Sequence, residues 1–429
     1  MLISLLHNNR SLEKKRLGAV RNGALLIAAA VLLAGCSSSG GNTHKGHGSS
    51  SAPDTDKQAV TASVPAEYSA SGAAEAAPWV ATKNTTRINA SNPVQAAVLV
   101  SRTLWPAQLE TGRPGAVILT DPTDWAGAAA AAHLIHHPHN GPVLYTDAGK
   151  MPDVTLQELL RLNPTGISGS GVQVILVGKI DKDLEKAVQQ RGFKTARVEG
   201  RSAAELAAAA DAYYISSAGE TPPGVIVGSS DEQSFTIPAA YWSAHMPEPL
   251  LYISGNSIPD ATAQALQKRG GKASIYIIGP EKAVSAQIEK QLQAYGKVTR
   301  IAGGDPFENA IAFAEFKDES TGFGWGINAP GRNLTFANAD EPALALAGAP
   351  FAHLGKHAPL IWTDKEAMPD AVMNYVMSLQ PRYDQSPADG PFNHAWLIGG
   401  DTRLTGAAQA ELDAMLEIAS PAGGGHEGH

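Results

Sequence analysis

Oxygen donors, imidazoles and one aromatic and cationic loop are the side chains in this sequence whose types and spacing suit chemistry. Acidic or hydroxyl residues follow short apolar runs at Thr120-Asp121 and Thr146-Asp147, at Ser229-Ser230-Asp231 and Ser254, and at Asn338, Asp340, Thr363-Asp364 and Asp401. Carboxylates repel phosphate. An anionic ligand held there needs Arg87, Lys179, Arg300 or Arg332 nearby, or a bridging Ca²⁺ or Mg²⁺ ion. The plainer reading of each acid is a solvated loop residue that caps a helix. Histidines form a second set: His133, His136, His137 and His139 lie close together, and His44, His47, His426 and His429 sit near the two ends. Three imidazoles at fixed spacing hold zinc, but Pro138 interrupts the first group, so weak or adventitious capture of a metal is the most it predicts. The third set lies in the Gly-rich stretch 317–333, where Trp325 or Phe323 is suited to stacking on a sugar ring and Arg332 to pairing with a phosphate or carboxylate. A loop packed over an exposed sheet end is the alternative there. Covalent catalysis finds little support. Gly166-Ile-Ser-Gly-Ser-Gly171 lacks the spacing of a nucleophile elbow and precedes a strand, and Gly178-Lys179 lacks the upstream glycine of a phosphate-binding loop. The expectation is a binding protein without a resident cofactor.

One further residue has reactive potential. Cys36 is the only cysteine, which leaves no internal disulfide and no Cys-rich metal site. It follows Arg10, Lys14, Lys15, Arg16 and Arg21 and the apolar run 24–33, the layout of an export signal. That run is too short for an ordinary membrane span, which takes ~20 residues. Leu33-Ala34-Gly35-Cys36 resembles the lipobox of bacterial lipoproteins, which implies cleavage after residue 35 and a diacylglycerol on the Cys36 thiol. Removing five of the 33 basic and one of the 41 acidic residues leaves 28 against 40, a formal −12. Such a balance argues against nucleic acid and against an electrostatic hold on anionic lipid, so the expected membrane contact is the lipid itself. Residues 36–80 are rich in Ser, Gly, Ala and Pro and read as a disordered tether; residues 421–429 read as a flexible His/Gly tail.

The elements that must position these residues repeat. Pro142-Val-Leu-Tyr-Thr, Pro249-Leu-Leu-Tyr-Ile and Pro359-Leu-Ile-Trp-Thr each lead, ten residues on, to Pro152-Asp153, Pro259-Asp260 and Pro369-Asp370. Apolar runs ending in glycine follow at Gly178, Gly279 and Gly399, and Arg87-Ile-Asn-Ala, Arg197-Val-Glu-Gly and Arg300-Ile-Ala-Gly read as the openings of three units. Runs that are apolar on both faces, separated by amphipathic helices, predict parallel sheets covered on each side. The prolines suit strand starts, and the Pro-Asp pairs suit first helical turns facing the positive end of the dipole.

These Arg-Ile-Ala-Gly, Pro-Leu-Leu-Tyr-Ile, Pro-Asp and Ile-Gly segments resemble the cell wall binding repeat 2 family over residues 87 to about 418. The resemblance implies an α/β fold of three tandem small Rossmann-like domains with parallel sheets in a pseudo-threefold arrangement, and attachment to an anionic polymer of the Gram-positive wall. The expected layout is a signal at 1–35, the tether at 36–80, modules at 81–199, 200–299 and 300–420, and the tail. In open parallel sheets ligands bind beyond the carboxyl ends of the strands. That rule selects Asp121, Asp147, Lys179, Ser229, Asp231, Arg300, Asp340 and Asp364 as ligand-binding candidates, joined by Trp325 and Arg332 from the loop. The expected protein is a non-enzymatic envelope lipoprotein on the extracytoplasmic side, binding a wall polymer or glycan. A solute- or metal-binding lipoprotein and an enzyme on a wall precursor stay open as alternatives.

Overall fold

The computed structural model describes residues 77–420. The signal, Cys36, most of the tether, the terminal tail and the four histidines near the ends lie outside them.

Three sheets form, each from one stretch of the predicted strand and helix alternation. The first joins β3 (Val117–Thr120), β4 (Val143–Tyr145), β5 (Val174–Val177) and β6 (Thr195–Val198) in the order β4-β3-β5-β6. The second joins β7 (Gly224–Ser229), β8 (Leu250–Ile253), β9 (Ala273–Ile278) and β10 (Gly296–Ile301) as β10-β9-β7-β8. Every pairing in both is parallel. Strands β3, β4, β5 and β8 are buried at every position, as their unbroken apolar sequences require.

The third sheet corrects the expected layout. Its strands β11 (Asn333–Asn338), β12 (Leu360–Thr363) and β13 (His394–Ile398) are completed by β2 (Thr85–Ile88), with β1 (Trp79–Ala81) antiparallel at the edge. Ala395 pairs with Thr85 and Leu397 with Arg87. The Arg segments therefore close sheets and do not open modules: Arg197 and Arg300 end the first and second, and Arg87 ends the third. Among the described residues the first strands thus complete the last sheet, and the three units form a closed ring.

The helices that leave these closing strands carry the ring forward. α1 (Pro93–Leu104), α5 (Ala203–Ala218) and α9 (Pro306–Glu315) follow β2, β6 and β10, and pack on β4, β8 and β12 of the next sheet. Each starts with the same device. The side chains of Asn92, Ser202 and Asp305 accept from the amides of Gln95, Glu205 and Glu308, which reach back to the amides of Ser91, Arg201 and Gly304. Paired caps of this kind satisfy amide groups that a helix start leaves open.

At the centre, α2 (Trp125–Ala132), α6 (Gln233–His245) and α10 (Pro342–Ala347), one from each unit, contact one another pairwise. Ala126 to Ala132 are all buried, as are Leu344 to Ala347. A helix apolar all round belongs in an interior, and small side chains let three helices approach a common axis. The tyrosine and tryptophan of the repeated Pro-Leu-Leu-Tyr-Ile strands lock the ring. Tyr145 Oη donates to the carbonyl of Ala343 at 3.3 Å, Tyr252 Oη to Ala126 at 2.8 Å and Trp362 Nε1 to Ser234 at 2.8 Å. Each acceptor is the second residue of a central helix in another unit. The pseudo-threefold arrangement is thus built from three copies of one contact.

Candidate functional site

The third unit departs from the other two by its inserted loops, and these build a cationic cavity. Residues 317–333 leave α9 and fold back over it. Asp318 accepts from the Ser320 amide and hydroxyl and from Tyr276 Oη, and these bonds draw its carboxyl down to about 2. Phe323 lies flat on Tyr276, with ring centres 3.7 Å apart, and is buried. It is a core residue, not a sugar platform. Gly324 sits at φ +96°, where an added Cβ would meet the Phe316 carbonyl oxygen at 2.4 Å, so only glycine makes the turn that presents Trp325. The Trp325 indole stacks on His245 at the end of α6 with centres 5.0 Å apart, and its edge meets Trp242.

The second insertion braces the first. Asn393 is buried, donates to the Leu379 carbonyl and accepts from the amides of Gly331 and Arg332 at 2.8 and 3.1 Å. The backbone of Arg332 is therefore fixed. Its guanidinium is exposed and has no hydrogen-bond or ion-pair partner among the described residues.

Between these parts lies a cavity of about 220 Å³, lined by Trp325, His245, His357, Lys317, Arg332 and Lys356 among others, with no carboxylate in its wall among the described residues. Lys317 Nζ donates to the carbonyls of Gly322 and Gly324, and Lys356 Nζ lies 4.9 Å above the Trp396 ring. Burial pushes the His245 imidazole down to about 3, helped by His357, His353, His136 and Lys317. His245 is thus neutral at neutral pH, and the positive charge comes from the two lysines and Arg332. Such a wall suits a small anionic group beside a ring or apolar face.

This cavity sits at the amino ends of the third unit's strands, beside Asn333 and the segment 355–357 that precedes β12. The carboxyl-end rule chose the opposite edge. The acids there do occupy equivalent places, after β3, β7 and β11, and two of the carboxylates bind nearby loop groups: Asp121 accepts from the Thr123 amide and hydroxyl, and Asp231 from the Gly255 amide in the loop after β8, while the Asp340 backbone amide donates to the Asn338 side chain. Ser229 Oγ accepts from the Asp231 amide. Asp147 and Asp364 are exposed just after β4 and β12. Lys179 lies in a shallow groove of about 430 Å³ with Arg201, Glu199 and Glu205, where charges of both signs balance. The structure brings Trp325 and Arg332 to one cavity; of the other candidates only Ser229 and Asp231 meet.

The three repeated arginines are corrected outright as free cations. Arg300 donates to Glu289 and to the carbonyls of Gly279 and Val284. Arg197 donates to Glu185, Glu199 and the Ile180 carbonyl. Arg87, 1% exposed, donates to Gln409 and to the carbonyls of Gly399, Leu404 and Thr405. Each ties a closing strand to the loop after its neighbour and to the helix that follows. Lys356, His357 and His245 were not among the sequence candidates, though each precedes a strand proline of the repeat, at Pro359 or Pro249.

Against solved structures the chain is similar to two cell wall proteins of Clostridium difficile. It matches Cwp8 with 18% identity and a TM-score of 0.60 over 78% of this chain and 52% of that one. It matches Cwp6 with 16% identity and a TM-score of 0.61 over 77% of this chain and 48% of that one. The chain spans about half the length of either. At these identities the likeness establishes the fold. No protein-family model matches the chain. No curated protein matches it either.

Proposed function

We propose that this protein is a lipid-anchored envelope protein that binds an anionic wall polymer or glycan without acting on it as an enzyme. The observation that carries the reading is the cavity wall: three cations, an indole and no carboxylate, in a chain whose expected mature charge is −12. The similarity of fold to two cell wall proteins supports it. A phosphate or carboxylate of the polymer pairs with Arg332 and Lys356, and an adjoining sugar lies against Trp325. Direct pairing removes the need for bridging Ca²⁺ or Mg²⁺, so chelators leave binding intact.

Arg332→Ala removes a charge-assisted hydrogen bond of about 1.5–3 kcal/mol and should weaken binding to purified walls ~10- to 100-fold. Asp364→Ala, at the opposite edge, should leave it unchanged. Sedimentation of the protein with walls, before and after chemical removal of their anionic polymer, reads both. If Arg332→Ala binds like the parent, or stripped walls bind equally well, the polymer assignment is wrong.

The anchor is tested separately. Cys36→Ser should release the protein from membranes, because among the described residues no helix is long and apolar enough to cross one. Fractionation without detergent that leaves the variant in the pellet refutes the lipid.

A further inference from the structure

Histidines from all three units collect where the carboxyl ends of the central helices approach one another. His136 and His137 follow α2, His245 ends α6, and His353 and His357 follow α10 after a 3₁₀ turn at Ala349–Ala352. The rings of His136, His137 and His353 form a nearly equilateral triangle with centres 5.5, 5.2 and 5.3 Å apart. Two imidazoles on one tetrahedral ion, with metal to nitrogen bonds of ~2.0–2.1 Å, place their ring centres roughly 5 Å apart. The spacing of the ring centres thus matches that of imidazoles sharing one ion.

Two further observations point to a metal. Nδ1 of His136 lies 3.1 Å from the His137 carbonyl oxygen, which only accepts, so Nδ1 carries the proton and Nε2 keeps its lone pair. The Tyr214 hydroxyl, 3.4 Å from the same Nδ1, is then a second acceptor. His353 is 8% exposed, and its Nε2 is buried with no hydrogen-bond partner. A buried ring nitrogen without a partner is costly unless something binds it.

We propose that His136, His137 and His353 bind one divalent transition-metal ion, of the kind imidazole prefers, and that the ion clips the first unit to the third. As the rings stand, no three donors among the described residues converge on a single point. Closure asks for side-chain rotation, and His137, which is exposed, is free to turn. His133 and His139, which the sequence grouped with His136 and His137, lie deeper against Tyr214 and Tyr213 and take no part.

The test uses the full chain with His44, His47, His426 and His429 replaced by alanine, so that the terminal histidines add nothing. Titration calorimetry with Zn²⁺ and the visible spectrum of bound Co²⁺ should show one equivalent of metal, and Zn²⁺ should raise the melting temperature. His137→Ala, at an exposed position, should weaken the metal at least ~10-fold and leave the metal-free melting temperature unchanged; His353→Gln should weaken it as much. His394→Gln should not, since His394 already pairs with the Thr86 hydroxyl. Absence of saturable binding in the tail-replaced chain, or binding indifferent to both His137→Ala and His353→Gln, overturns the site.

Discussion

Truncating Trp362 to alanine should cost about 3–5 kcal/mol of stability, and Tyr145→Ala and Tyr252→Ala should each cost a similar amount. All three side chains are fully buried, and each inserts between its own sheet and the central helix of another unit. Removing one leaves a cavity at a junction between units and deletes the bond to that helix. The equality of the three effects is the informative part. In a linear array one terminal unit has no partner for its lock, and truncation there is cheaper. Here Tyr145 of the first unit bonds Ala343 of the third, so no terminal unit exists. Urea unfolding of the three variants checks this. A cost below ~1 kcal/mol at Tyr145 beside a full cost at Tyr252 would falsify the closed ring.

The repeat was legible because burial in a parallel sheet writes continuous apolar runs, and because proline and Pro-Asp mark strand and helix starts. Strand partners were not legible. Thr85 to Ile88 pair with a strand some three hundred residues later, and an apolar strand carries no label for its neighbour. The role of Arg87, Arg197 and Arg300 was misread for the same reason: their carbonyl and carboxylate partners lie on loops and helices that only the closed sheet brings near. Trp325 and Arg332 were found because an insertion in one copy of a repeat stands out. His245, Lys356 and His357 come from separate segments, and convergence in space leaves no local trace. The position of each before a strand proline was the available signal, since it puts all of them at the amino ends of strands. The capping pairs Asn92 with Gln95, Ser202 with Glu205 and Asp305 with Glu308 were likewise readable from their spacing of three.

Acidification should destabilise the protein early, beginning near pH 6.5 and not in the carboxylate range. His133 is wholly buried beside Tyr214, and both its ring nitrogens lack partners. Burial, with His139, Arg269 and His136 nearby, holds its proton affinity well below the ordinary 6.5, and His245 is held to about 3. In the unfolded chain both titrate at the ordinary value. Between that value and the folded one, the unfolded state binds more protons, so stability is complete above about pH 6.5 and falls as pH falls. The loss is ~1.4 kcal/mol per pH unit for a fully buried imidazole, or ~2 kcal/mol at pH 5, with less from the partly exposed His245. Glu248 acts in the opposite sense, since burial raises its carboxyl and the folded state then takes up its proton first, which offsets part of this loss. Glu158, held down by Arg161, Ser101 and Arg102 despite its burial, adds a further loss below about pH 4.5. Melting temperatures measured with chelator at pH 7.5, 6.5, 5.5 and 5.0 should therefore drop steadily from the second point on. His133→Leu should flatten that slope by removing one titrating group from the interior. A melting temperature constant from pH 7.5 to 5.0 would show that the buried imidazoles are solvated or paired, contrary to the packing around them.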